Sequence, residues 1–273
     1  MKEENHGGTN VKWYLLPLVP LLSLALLCVV LVLYGRARMR GRTSKAGRAR
    51  DVMAGGCLGA MGRELARHNS FRYLTRGSLS RDYFRRALGT LQEGYLYLVL
   101  AKSKSPAGEV IGLFTDREYN HVSLSFDRDL RTLVSYNGGR AGQAPGLNPE
   151  TVPALLENPG ACLRIYRLPA TRHQKQIILR RLGKLNQEGS AYNLLGLVFR
   201  FSYRPNIMFC SQFVYSVLRL AGLDYFQWDP FQVRPTDFVE LDCWRQLELV
   251  AELTYDGKAV HRQAPQKKSR PSA

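Results

Sequence analysis

At 273 residues, with 45% apolar and 10% aromatic side chains, the chain has room for one substantial buried core plus appendages. Its formal charge of +17 would suit nucleic acid if the cations lined a folded face. Instead Arg36, Arg38, Arg40, Arg42, Lys45, Arg48, Arg50, Lys258, Arg262, Lys267, Lys268 and Arg270 cluster in two acid-free stretches supplying +12, so about +5 remains for everything else and no nucleic-acid partner is expected.

Residues 1–12 form a short N-terminal segment. The 22 residues from Trp13 to Tyr34 carry no charge, and at ~1.5 Å per residue a helix over 13–34 is long enough to span a bilayer. Pro17 and Pro20 are tolerated in such a helix, and Trp13, Tyr14 and Tyr34 sit where aromatic rings favour the headgroup layer. A cleaved signal peptide is the competing reading. It fits less well, because its apolar stretch is usually only ~7 to 15 residues and its positive charge precedes that stretch. The arginine-rich flank at 35–55 reads as a basic juxtamembrane linker that attracts membrane lipids. The positive-inside rule then gives a single-pass protein of the cell membrane with its main domain cytoplasmic, the extracytoplasmic orientation being the alternative. Residues 56–94 are expected to be a helical lead-in, 95–256 the main domain, and 257–273 a basic disordered tail.

Within the domain, the run Tyr95 to Ala101 predicts a buried strand, and Asn120 to Phe126 alternates as a second one. In the latter, Val122, Leu124 and Phe126 face one way and His121, Ser123 and Ser125 the other. Asp127-Arg128-Asp129 predicts a turn, with a returning strand over Thr132 to Tyr136. Further strands are expected at Cys162 to Leu168 and Gln246 to Tyr255. Thr171 with Gln174 makes a capping-box start for a helix through Asn186. Helical character is expected again from Tyr192 to Phe201. A last helix, from about Phe209, aligns Phe213, Val214, Val217, Leu218 and Ala221, and Gly222 stops it. Strands and helices do not alternate regularly, so the predicted class is α+β.

Cys28 lies in the apolar run, and Cys57, Cys162, Cys210 and Cys243 are widely separated without a CxxC pair, so neither a zinc ribbon nor a thioredoxin-like redox site is supported; thiol chemistry of the kind expected at Cys210 implies no metal or organic cofactor. Cys210 falls at the N-terminus of the last helix, where unsatisfied N–H groups and the helix dipole favour a thiolate. The backbone N–H groups of Cys210 and Ser211 stand where an oxyanion would develop. The competing reading is a buried apolar side chain, since Cys210 shares a face with Val214 and Val217. His6 and His261 lie in the termini, His68 in an arginine-rich region and His173 in the first turn of a helix. His121 is the histidine inside the expected core, which makes it the candidate base, though a satisfied core histidine is the alternative.

Tyr119-Asn120-His121-Val122-Ser123-Leu124-Ser125 is followed about ninety residues later by Phe209-Cys210-Ser211-Gln212-Phe213-Val214. This pairing resembles the circularly permuted papain-like (NlpC-like) superfamily, in which a histidine strand precedes a cysteine helix. Tyr192-Asn193-Leu194-Leu195-Gly196-Leu197 extends the likeness, which covers roughly Tyr95 to Asp256. Lecithin:retinol acyltransferase-like, phospholipase-like and bacterial amidase or peptidase enzymes belong to that group. The resemblance implies an antiparallel sheet packed on helices, Cys210 as nucleophile, His121 as base, and ester or amide cleavage through a thioester. It also implies a third polar residue on the strand after the histidine strand. That position reads as Ser135, with Asn137 as the alternative. Neither carries charge, so weak or absent turnover in a binding module is the rival expectation.

Overall fold

The computed structural model describes residues 72–102, 118–139, 142–194, 196, 201–202 and 204–264, all within the second of two structural units, Cys57–Ala273. The expected membrane helix at 13–34 and the linker at 35–55 lie outside the described residues. Among the described residues no helix is long and apolar enough to cross a membrane.

The architecture is α+β, built on a seven-stranded antiparallel sheet. Its strands are β1 (Tyr95–Lys102), β2 (His121–Ser125), β3 (Val134–Asn137), β4 (Gly146–Pro149), β5 (Cys162–Pro169), β8 (Glu248–Tyr255) and β9 (Val260–Gln263), in the order β4-β3-β2-β1-β5-β8-β9. A separate parallel pair joins β6 (Ala191–Tyr192) to β7 (Ile207–Met208). The helices are α1 (Arg81–Gly89), α2 (Val152–Leu155), α3 (Arg172–Glu188), α4 (Cys210–Leu220) and α5 (Asp237–Glu240).

β1 is central because it is apolar on both faces. Leu96, Leu98 and Leu100 join one core with residues of α1, α3 and α4, while Tyr97, Val99 and Ala101 join a second with Leu130, Leu133, Leu155 and Leu156. α4 lies against β2, β3 and α3, and the Phe213 ring sits 5.0 Å from that of Tyr136. The capping box of Thr171 and Gln174 opens α3. Lys175 on that helix is fully buried, its Nζ donating to the Thr90 carbonyl at 3.0 Å and the Phe126 carbonyl at 3.1 Å. Burial holds its pKa below the usual lysine value, and the two carbonyls bind the ends of α1 and β2 to α3.

Several segments differ from the sequence reading. Residues 72–94 belong to the body itself: Tyr83 donates to the Thr132 carbonyl at 3.0 Å, and Leu79, Tyr83, Ala87 and Leu91 lie in the first core. The tail expected to be disordered from 257 instead turns at Gly257 (φ 99°) and returns as β9 on β8, an edge strand exposed throughout that no apolar alternation announces. Where a helix was expected from Tyr192, Ala191–Tyr192 is extended because it pairs with Ile207–Met208; Leu194 and Gly196 are helical. β4 and α2 were not anticipated, since Gly-Leu-Asn-Pro lacks β-branched residues and carries proline.

Candidate functional site

α4 starts at Cys210, with Phe209 as an extended N-cap residue that supplies no side-chain cap. Phe213 N–H donates to the Phe209 carbonyl at 3.0 Å, closing the first turn of the helix, and helix geometry gives the Cys210 and Ser211 N–H groups no acceptor within it. Ser211 also fastens this end, its hydroxyl donating to the Val233 carbonyl at 2.6 Å. Cys210 is 1% exposed.

His121 opens β2. Register pairs it with Ala101, so its side chain leaves the sheet on the side of Ser123 and Ser125, whereas Cys210 belongs to the core beneath Val122 and Leu124. The two come together at the end of the strand, close enough for a Cys210 thiolate to raise the pKa of the imidazole. Its Nε2 faces the Glu150 carboxylate at 3.0 Å from Oε1 and 3.1 Å from Oε2, which leaves Nδ1 for the sulfur.

Glu150 was not foreseen from the sequence. It lies one residue beyond β4, and the register that sets Ser135 opposite Asn148 and Asn137 opposite Gly146 carries Glu150 onto the same face as His121 and Ser123. Its main-chain N–H donates to the Leu133 carbonyl at 2.9 Å, fixing that register. The Ser123 hydroxyl donates to Oε2 and the Asn137 amide donates to Oε1 at 2.8 Å. Ser135, expected beside the ring, donates instead to the Val122 carbonyl at 2.7 Å and braces β2. Asn137 touches the carboxylate rather than the imidazole. Both fall short of the ring because the place beside Nε2 is occupied by Glu150, just past the end of the next strand of the meander.

The charges are mutually supporting. Burial disfavours imidazolium, but the negative charge of Glu150 and that of a Cys210 thiolate outweigh it and hold the His121 pKa well above its ordinary value. Burial likewise disfavours carboxylate, yet the charge of His121 and the donors His121, Ser123 and Asn137 hold Glu150 below the usual range. Tyr192, also missed as a site residue although its motif was noted, brings its hydroxyl within hydrogen-bonding reach of Cys210. Burial and the negative charge of Cys210 and Glu150 keep it protonated and therefore a donor. β6 positions it: Asn193 N–H donates to the Met208 carbonyl at 2.9 Å, tying this segment to the one that leads into α4.

Among the described residues, no group of three or more His, Cys, Asp or Glu side chains is placed to hold a metal ion, and Cys162, Cys210 and Cys243 are free thiols. The arrangement can polarise a thiol, keep the imidazole in one tautomer and supply a neutral donor at the sulfur. Compared with protein-family models, curated proteins and solved structures, the chain matches none.

Proposed function

We propose that this chain is a membrane-anchored thiol hydrolase or acyltransferase of the circularly permuted papain-like kind, acting on an ester or amide bond. The observation that carries the reading is one imidazole joined to a buried, doubly braced carboxylate and electrostatically coupled to a thiol at a helix N-terminus. Nδ1 of His121 takes the Cys210 proton. The sulfur then bonds to the carbonyl carbon, and the imidazolium returns its proton to the departing alcohol or amine as the C–O or C–N bond breaks. His121 next takes a proton from water or an acceptor alcohol, whose oxygen displaces sulfur from the thioester and restores the thiol.

Glu150 keeps Nε2 protonated and stabilises the imidazolium, the role that an uncharged Ser135 or Asn137 would fill less well. The N–H groups of Cys210 and Ser211, which have no acceptor within the helix, support the carbonyl oxygen as it becomes negative, and the Tyr192 hydroxyl donates to the sulfur side. The uncharged run at 13–34 and its basic flank favour substrates at a membrane surface, lipids or membrane-proximal peptides.

The 1% exposure of Cys210 favours a second reading, a papain-like binding or scaffold module without turnover. Thiol reactivity separates the two. An enzyme requires iodoacetamide to alkylate Cys210 faster per thiol than Cys162 at neutral pH, with at least a tenfold loss, ~1.4 kcal/mol, in His121→Ala. Cys210 no faster than Cys162, or indifferent to His121, would leave the module.

A further inference from the structure

Among the described residues no lysine or arginine is paired with Glu150, and its ionised state is supported by His121 and by two neutral donors. One of those donors is locked in orientation. The Asn137 Oδ1 accepts from the Gly139 N–H at 3.0 Å and from the Asn148 amide at 3.0 Å, which leaves Nδ2 to reach Glu150 Oε1 at 2.8 Å. Flipping the Asn137 amide would set its NH2 against two donors and its oxygen against a carboxylate, so a single orientation survives. Asn148 is in turn 1% exposed and held by the Ala144 carbonyl at 2.9 Å and the Gly146 carbonyl at 3.3 Å. A continuous line of hydrogen bonds therefore runs from the β3–β4 hairpin through Asn148, Asn137 and Glu150 to His121, whose pKa the neighbouring Cys210 raises.

We propose that Asn137 is a positioning residue that acts through Glu150, and that Asn148 sets its amide, so the β3–β4 hairpin governs how firmly the carboxylate holds the imidazolium. The inference rests on the thiol-enzyme reading and deepens it. Asn137 gives nothing to the ring directly; its amide stabilises the ionised carboxylate, and the carboxylate stabilises His121. Among the described residues, the other titratable groups acting on this pair are Cys210 and Tyr192, from α4 and β6. Replacing Asn137 weakens the hold of the carboxylate on the imidazolium, which matters at mildly acid pH, where His121 is charged, and not at high pH, where the ring is neutral.

The test is the pH dependence of iodoacetamide alkylation at Cys210 in the full chain, with Cys162 and Cys243 as internal references. In Asn137→Ala the Cys210 rate falls about tenfold near pH ~6, the loss of one hydrogen bond to a charged group, and stays within about twofold near pH ~9. Asn137→Asp falls further, because a second carboxylate against Glu150 raises the pKa of the pair. If Asn137→Ala does not fold, Asn148→Ala carries the test: it keeps the Asn137 side chain, frees its amide, and lowers the acid-side rate about threefold. Profiles of Asn137→Ala and Asn148→Ala that superimpose on the wild type, while Glu150→Gln is displaced, overturn the positioning role and leave the thiol-enzyme reading intact. A wild-type profile indifferent to His121→Ala overturns the enzyme reading and this inference with it.

Discussion

At the scale of single residues the pair His121–Glu150 ties chemistry to stability. The imidazole pKa lies above its ordinary 6.5 in the folded chain, so its contribution is complete below 6.5 and fades as pH rises through the elevated value. The carboxylate pKa lies below its ordinary 4.5, so its contribution is complete above 4.5 and fades as pH falls through the depressed value. The stability difference between wild type and Glu150→Gln, measured by urea unfolding, is therefore greatest between those two ordinary values, about 1 to 3 kcal/mol, and shrinks on either side. A difference that grows steadily toward alkaline pH would contradict the pairing. Ser135→Ala behaves otherwise: it removes the bond to the Val122 carbonyl and costs about 1 kcal/mol, while the pH profile of Cys210 alkylation stays that of the wild type.

At the scale of elements, the site depends on strands whose own sequences barely announce them. Gly146 opens β4 with φ 149°, and a Cβ there would come within 2.8 Å of the Ser190 hydroxyl and 2.9 Å of that of Thr75. Gly146→Ala thus forces the hairpin edge away from the segment before β6. We expect a loss of about 1 to 3 kcal/mol in stability and, because Glu150 moves with β4, slower alkylation of Cys210 at neutral pH. Thr171→Ala, which removes the capping box of α3, costs about 1 kcal/mol and leaves that alkylation rate unchanged, since α3 contributes no side chain to the site. Comparing the two variants by thermal unfolding and by alkylation separates damage to the site from damage to the scaffold. The contrast in legibility has the same origin. α3 and α4 show apolar stripes and caps or stops, whereas β4 is a four-residue edge strand with glycine and proline, recognisable only through its pairing with β3.

At the scale of the whole molecule, β9 and the site occupy opposite parts of one sheet. β9 lies four strands from β2, about 19 Å at ~4.8 Å per strand, and covers the free edge of β8. Ending the chain at Asp256 uncovers that edge; we expect a lower unfolding temperature and self-association by light scattering, with His121-dependent alkylation of Cys210 retained. The amino-acid sequence by itself determined the α+β class, the strand holding His121 and the helix beginning at Cys210, because alternation, helical spacing and caps are local properties of the chain. The identity of the group on the far side of the imidazole was decided only by tertiary structure. Glu150 becomes the neighbour of His121 through the register of an edge strand, and Tyr192 reaches Cys210 through a two-residue pairing with β7. Register is fixed by contacts between segments distant in sequence, and no local pattern encodes it.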